Sequence, residues 1–263
     1  NAIVEATVEY AQNPIVALHG LEAMMRLGEV LLKVSNGITQ LEGASPCTAI
    51  VAVAKQHISN AKIVFTALKA LLRTTEQSST LASQCSDAGL ILGVRQLFAA
   101  QVKNPSIGDC VARLVAYLCQ FNVVQSSLVD DSLDDHGNSE PPLIDLFFAG
   151  AVKHIDREKP VVSMLKAVVQ LCVDQERGQV RVLSPVNLGH IATIIETCGG
   201  NAKIEKELRR LVDRVKVKAA ASQLDEDETV QALMRLEDLE GSTESPVCKK
   251  VLGNLLDRFA LEL

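Results

Sequence analysis

A helical apolar stripe that returns roughly every 44 residues constrains this chain more than any other feature. Six segments carry it: Pro14 to Leu27, Ala61 to Arg73, Ile107 to Gln120, Val161 to Val173, Ile204 to Val217 and Val247 to Leu261. We set Leu21, Leu68, Leu114, Val168, Leu211 and Leu255 as position zero of the six copies. Offset +4 then holds Met25, Leu72, Leu118, Cys172, Val215 and Phe259, and offset −3 holds Leu18, Phe65, Val111, Leu165, Leu208 and Leu252. Offset −7 holds Pro14, Ala61, Ile107, Val161, Ile204 and Cys248. With 3.6 residues per turn these offsets fall on one side of an α-helix, so each segment is expected to bury that side. One copy cannot cover its own apolar face, but stacked copies can.

Successive zero positions lie 47, 46, 54, 43 and 44 residues apart. That is the spacing of armadillo and HEAT repeats, not the shorter spacing of ankyrin or tetratricopeptide repeats. The long interval contains the polar stretch Val129-Asp-Asp-Ser-Leu-Asp-Asp-His-Gly-Asn-Ser-Glu-Pro-Pro142, which cannot join an apolar stripe and ends in helix-incompatible prolines. It reads as an acidic insertion loop, about 129–142, within one repeat. A second amphipathic segment precedes each long one: Ala2 to Tyr10, Thr48 to Ala54, Leu90 to Ala100, Leu143 to Val152, Leu188 to Thr197 and Thr229 to Leu239. Shorter candidates at Glu29 to Val34, Glu76 to Gln84 and Asn122 to Leu128 supply a third helix per repeat, which favours armadillo over the HEAT-like alternative.

The long segments open with Asn13-Pro14, Asn60-Ala61, Asn104-Pro105, Lys159-Pro160, Asn201-Ala202 and Ser245-Pro246. In this the chain resembles the armadillo-repeat family, whose long third helix commonly opens with Asn or Pro. The resemblance spans nearly the whole chain. It implies an all-α fold, a right-handed α-solenoid superhelix of about six three-helix repeats, in a single domain over 1–263. It also implies a role in protein–protein interaction as an adaptor or scaffold. A short run of repeats with little else is similar to the armadillo-repeats-only adaptors of apicomplexan parasites, which would imply a lipid-anchored organelle surface.

Composition agrees with helices and narrows the partners. Hydrophobic residues make up 48% of the 263, aromatics only 3%, and Trp is absent, which suits close helix packing better than an aromatic-rich sandwich. A net charge of −6 and a pI near 5.5 withhold the positive field that nucleic acid binding needs. The longest apolar runs fall short of the roughly 20 residues of a membrane span. The chain begins at Asn1 rather than Met, so peripheral anchoring through a missing N-terminus stays open. Seven scattered cysteines, at 47, 85, 110, 119, 172, 198 and 248, form no Cys-x-x-Cys pair and read as buried thiols of a cytoplasmic protein.

No arrangement of catalytic residues emerges, and the expectation is a protein that is not an enzyme and needs no cofactor or metal. The histidines at 19, 57, 136, 154 and 190 lack recognisable partners, and His19 and His190 are expected to face solvent or be satisfied locally. The carboxylates Asp130, Asp131, Asp134 and Asp135 invite a calcium reading, but placing Gly137 at loop position six puts Leu143 where the bidentate Glu belongs. Gly199-Gly200 reads as a helix end and turn.

The resemblance implies that the third helices line a concave groove, where offsets −5, −2, −1 and +2 meet a ligand. In the first three copies these are Val16, His19, Gly20, Ala23, then Ile63, Thr66, Ala67, Ala70, then Asp109, Ala112, Arg113, Ala116, a mostly small or apolar half. In the last three they are Ser163, Lys166, Ala167, Gln170, then Lys206, Arg209, Arg210, Asp213, then Lys250, Gly253, Asn254, Asp257. Arg113, Lys166, Lys206, Arg209, Arg210 and Lys250 are therefore the expected groove residues, with Arg113 and Arg209 as anchors. The basic half suits an acidic or phosphorylated peptide, and the apolar half a helix or extended segment. Without Trp, the paired Trp and Asn by which import receptors of the family hold basic peptides are missing. Two other readings stand beside the adaptor: a regulatory or autoinhibitory armadillo domain excised from a larger multidomain protein, and an enzyme, which would need convergent polar groups in a pocket.

Overall fold

Asparagine starts three of the long helices, while the one that begins at Glu158 follows Arg157 without a side-chain cap. The side chains of Asn60, Asn104 and Asn201 each accept from two backbone amides of the first helical turn, and Ser245 caps the last long helix in the same way through Cys248. These caps satisfy donors that no helical carbonyl can reach. The computed structural model describes residues 2–31, 46–76, 79–84, 88–129, 141–217 and 226–259. Every regular element among the described residues is an α-helix.

The chain divides into two compact units, Asn1–Pro141 and Pro142–Leu263. The first holds α1 (Ala2–Glu9), α2 (Pro14–Leu31), α3 (Pro46–Gln56), α4 (Ala61–Thr75), α5 (Ser79–Gln84), α6 (Ala88–Ala100), α7 (Pro105–Leu118) and α8 (Asn122–Val129). The second holds α9 (Leu143–Lys153), α10 (Glu158–Leu171), α11 (Glu176–Val182), α12 (Pro185–Cys198), α13 (Ala202–Arg214), α14 (Glu226–Ser242) and α15 (Pro246–Leu256).

Within the first unit the long helices α2, α4 and α7 pack side by side in one layer, and α1, α3 and α6 in another. Within the second, α10, α13 and α15 form one layer and α9, α12 and α14 the other. The stripe lies between layers: Leu21, Leu68, Leu114, Val168, Leu211 and Leu255 are all 0 or 1% exposed.

Hydrogen bonds fix the register inside each layer. His57 Nε2 donates to the Ala11 carbonyl (2.6 Å), Gln101 Nε2 to that of Ile58 (2.8 Å), and Cys198 Sγ to that of Ile155 (3.6 Å), each joining the turn before one long helix to the equivalent turn one repeat earlier. At the start of α13, Asn201 Nδ2 and Lys203 Nζ both donate to Glu158 at the start of α10 (3.0 and 2.6 Å). Ser245, before α15, donates to Glu205 in the first turn of α13 (2.6 Å). So α10, α13 and α15 begin side by side and run in the same direction.

Two sequence expectations need adjustment, and one helix carries no expectation at all. The segment Glu29 to Val34 starts as the last turn of α2, which runs to Leu31, and its remainder lies outside the described residues. Helix α11 carries too few apolar residues to announce itself and owes its place to specific contacts. Gly178 lies so close to the Leu171 carbonyl that a Cβ would stand 2.7 Å from its oxygen, Gln179 donates to the Cys172 carbonyl, and Arg181 pairs with Asp145. Finally, the apolar half of the expected groove is not open surface, because Ile63, Ala67, Ala70 and Ala112 are buried. A central helix such as α4 touches neighbours on both flanks as well as the layer beneath it, and its small residues let those neighbours approach.

Of the expected acidic loop, residues 130–140 lie outside the described residues, so Asp130, Asp131, Asp134, Asp135 and Gly137 have no structural account; Val129 ends α8 and Pro142 precedes α9. No helix among the described residues is long and apolar enough to cross a membrane.

Candidate functional site

Amphipathicity is sharpest on α13, where Ile204, Glu207, Leu208, Leu211 and Val212 are buried and Lys206, Arg209 and Arg210 are exposed on the other side. Lys166 on α10 and Lys250 on α15 are exposed at equivalent offsets on the flanking helices. The second unit thus presents five cations on one side of a single layer. Arg113 is also exposed, on α7 of the first unit, where its charge opposes the burial that pushes the Cys110 thiol up to about 12.

Arg210 differs from the rest of the strip. Its Nη1 donates to both carboxylate oxygens of Glu207 (3.0 and 3.3 Å), a residue only 2% exposed. Glu207 occupies offset −4, where the other copies place Ala17, Val64, Cys110, Met164 and Val251, all buried. A carboxylate at that depth needs its partner, so Arg210 serves the fold as well as the surface. Among the described residues, Lys166, Lys206, Arg209 and Lys250 have no ion-pair partner and remain available.

Two further polar clusters lie in the second unit. Asp145 on α9 accepts bidentately from Arg181 on α11, and Asn187 on α12 donates both to Asp145 (2.8 Å) and to the Arg181 carbonyl (2.8 Å). His190, one turn along α12, departs from the expectation of a solvent-facing or satisfied residue: its Nδ1 is buried with no hydrogen-bond partner among the described residues. Burial holds its imidazole below the usual range, against the opposing pull of Asp145. His19 is exposed and lies 3.4 Å from Glu22.

Around Gly199 and Gly200, the expected helix end and turn, Gly200 takes a φ of +97° and opens the way into α13. Beside it a cleft of about 540 Å³ separates the last turns of α12 and α14, lined by Ile195, Glu196, Leu239 and Thr243 among others. Glu205 Oε1 accepts from Ser245 Oγ, from the Gly200 amide (2.9 Å) and from Cys248 Sγ (3.7 Å). The Ser245 hydroxyl, aided by the Gly200 amide, keeps this carboxyl below its usual range. Cys248 could be imagined as a nucleophile beside a carboxylate, but burial raises its thiol pKa, the reverse of what thiolate chemistry requires. Comparison with family models, curated proteins and solved structures finds no match to this chain.

Cys47, Cys110, Cys119 and Cys172 are buried and form no disulfide, Cys198 is half-buried, and burial raises Cys119 to about 12. Cys85 lies outside the described residues. Among the described residues no group of three or more His, Cys, Asp or Glu side chains converges on a point where a metal ion could sit.

Glu205 supports a test by pH. Its carboxyl is lowered in the folded state, so its contribution is fully present above the unfolded value, about 4.3, and is lost as pH falls through the folded one. Glu205→Gln should melt below the parent at pH 7, and the gap between the two should close as pH falls through the lowered value of the folded carboxyl. A gap that persists at acid pH would mean that the carboxylate charge is not what matters at this position.

Proposed function

We propose that this chain is a non-catalytic binding protein of armadillo-type three-helix repeats, the right-handed solenoid its repeat pattern resembles. Its α10–α13–α15 face would hold an acidic or phosphorylated segment of another protein. One observation carries the reading: Lys166, Lys206, Arg209 and Lys250 are exposed together on one layer, without ion-pair partners among the described residues, in a chain whose net charge is −6. A chain with excess carboxylates could have neutralised these cations internally, and an unneutralised strip attracts ligands of opposite sign.

The apolar half of the expected groove drops out of the proposal, because its central residues are buried. Arg113 stays as a separate exposed cation of the first unit. The reading carries with it a reducing, cytosolic setting, in keeping with the six cysteines among the described residues, none of which forms a disulfide.

The test is a titration of the full chain with a fluorescent peptide rich in Glu, set against a Lys-rich peptide of equal length. Saturable binding of the acidic peptide alone is expected, weakening several-fold between about 50 and 200 mM salt as screening shortens the reach of the strip. Equal binding of both peptides, or affinity indifferent to salt, would overturn the proposal.

A further inference from the structure

The same face carries a second row of charge, of opposite sign. Asp213 on α13 and Asp257, the residue that caps the C-terminus of α15, both occupy offset +2, both are exposed, and neither has an ion-pair partner among the described residues. Because α13 and α15 pack together and begin side by side, with Ser245 bonded to Glu205, these two carboxylates stand toward the same ends of adjacent helices. The cations at offsets −5, −2 and −1 form a parallel row nearer the helix starts. At 1.5 Å rise per residue, Asp213 lies about 5 to 6 Å along the axis from Arg210 and Arg209, and Asp257 about 10 Å from Lys250.

The rows do not neutralise each other. Arg209 and Asp213 are spaced i,i+4 on one helix, but with the cation N-terminal, which is the weaker order for such pairs. Arg210 is already occupied by Glu207. A ligand laid across α13 and α15 therefore meets cations along one edge and carboxylates along the other.

Resting on the proposed function, we infer that the preferred partner is an extended segment in which acidic and basic residues alternate. Successive side chains of an extended chain point to opposite edges, so alternation by two delivers carboxylates to the cation row and ammonium or guanidinium groups to Asp213 and Asp257. Neighbouring helices lie about 8–10 Å apart, close to three extended residues, so a segment of seven to nine residues spans α10, α13 and α15. A uniformly acidic segment would satisfy the first row and be repelled by the second.

Three synthetic peptides of equal length test this on the full chain at fixed ionic strength: Glu alternating with Ala, Glu alternating with Lys, and the Glu and Lys residues of the second grouped in two blocks. Net charge alone predicts that the Glu-Ala peptide binds tightest. The two-row arrangement predicts that the alternating Glu-Lys peptide binds at least as tightly, and about fivefold better than its block isomer. The double variant Asp213→Asn with Asp257→Asn should erase that preference and improve Glu-Ala binding by several-fold, while its melt matches the parent. If Glu-Ala binds tightest and the Asn variant changes no ratio, the second row plays no part, and the acidic-ligand reading survives. If none of the three peptides binds, both the inference and the reading beneath it fail.

Discussion

Changing Lys166, Lys206, Arg209 and Lys250 together to Glu is expected to weaken binding of a Glu-rich peptide by more than about thirtyfold while leaving the protein folded. Each exposed contact contributes only about 0.5–1 kcal/mol, so no single change would stand clear of noise, and four reversals convert attraction into repulsion. Arg210 is left out deliberately. It is the counter-charge of buried Glu207, and placing a carboxylate there would cost stability, so loss of binding could not be told from loss of fold. The variant should keep the parental helical circular dichroism and a melt within a few degrees. Unchanged affinity in a folded variant would move the binding surface elsewhere, with Arg113 on the first unit the next position to test.

Leu211→Ala is expected to lower unfolding free energy by about 2–5 kcal/mol, read as a shift of the denaturant midpoint at constant slope. Leu211 is fully buried on α13, which packs against α10 on one side and α15 on the other. The cavity therefore opens where neighbours on both flanks are already held by the Glu158 and Glu205 hydrogen bonds and can collapse only partly. Val230→Ala on α14, half exposed, is the control and should change stability by no more than about 0.5 kcal/mol. Similar losses from both would mean that the stripe is not where the packing energy resides.

The stripe and the caps were legible in the sequence because each is written in a residue type that physics places narrowly. Leu at offset zero has one side of a helix to bury, and Asn60, Asn104 and Asn201 have first-turn amides to satisfy. What escaped depended on neighbours. Nothing in Glu176–Val182 marks a helix until the Leu171 carbonyl, Cys172 carbonyl and Asp145 are known to surround it. The burial of Ile63, Ala67, Ala70 and Ala112 likewise follows from helices flanking α4 and α7, which a single-helix pattern does not contain. Glu207 is a different case. A charged residue at an offset occupied by Ala, Val, Cys or Met in the other five copies was a visible anomaly, and it pointed to Arg210 one turn away. The surface strip was legible as charge, but its division into an engaged Arg210 and four available cations needed coordinates.

The turn-to-turn hydrogen bonds have a kinetic consequence. His57 to Ala11, Gln101 to Ile58, Cys198 to Ile155 and Ser245 to Glu205 join residues 40 to 46 apart. The closures they require are all of one modest size, and adding further copies would multiply such closures without lengthening any of them. Topology of this kind has low relative contact order, so each unit should refold quickly for its size, within milliseconds, and its rate should depend little on how many copies stand beside it.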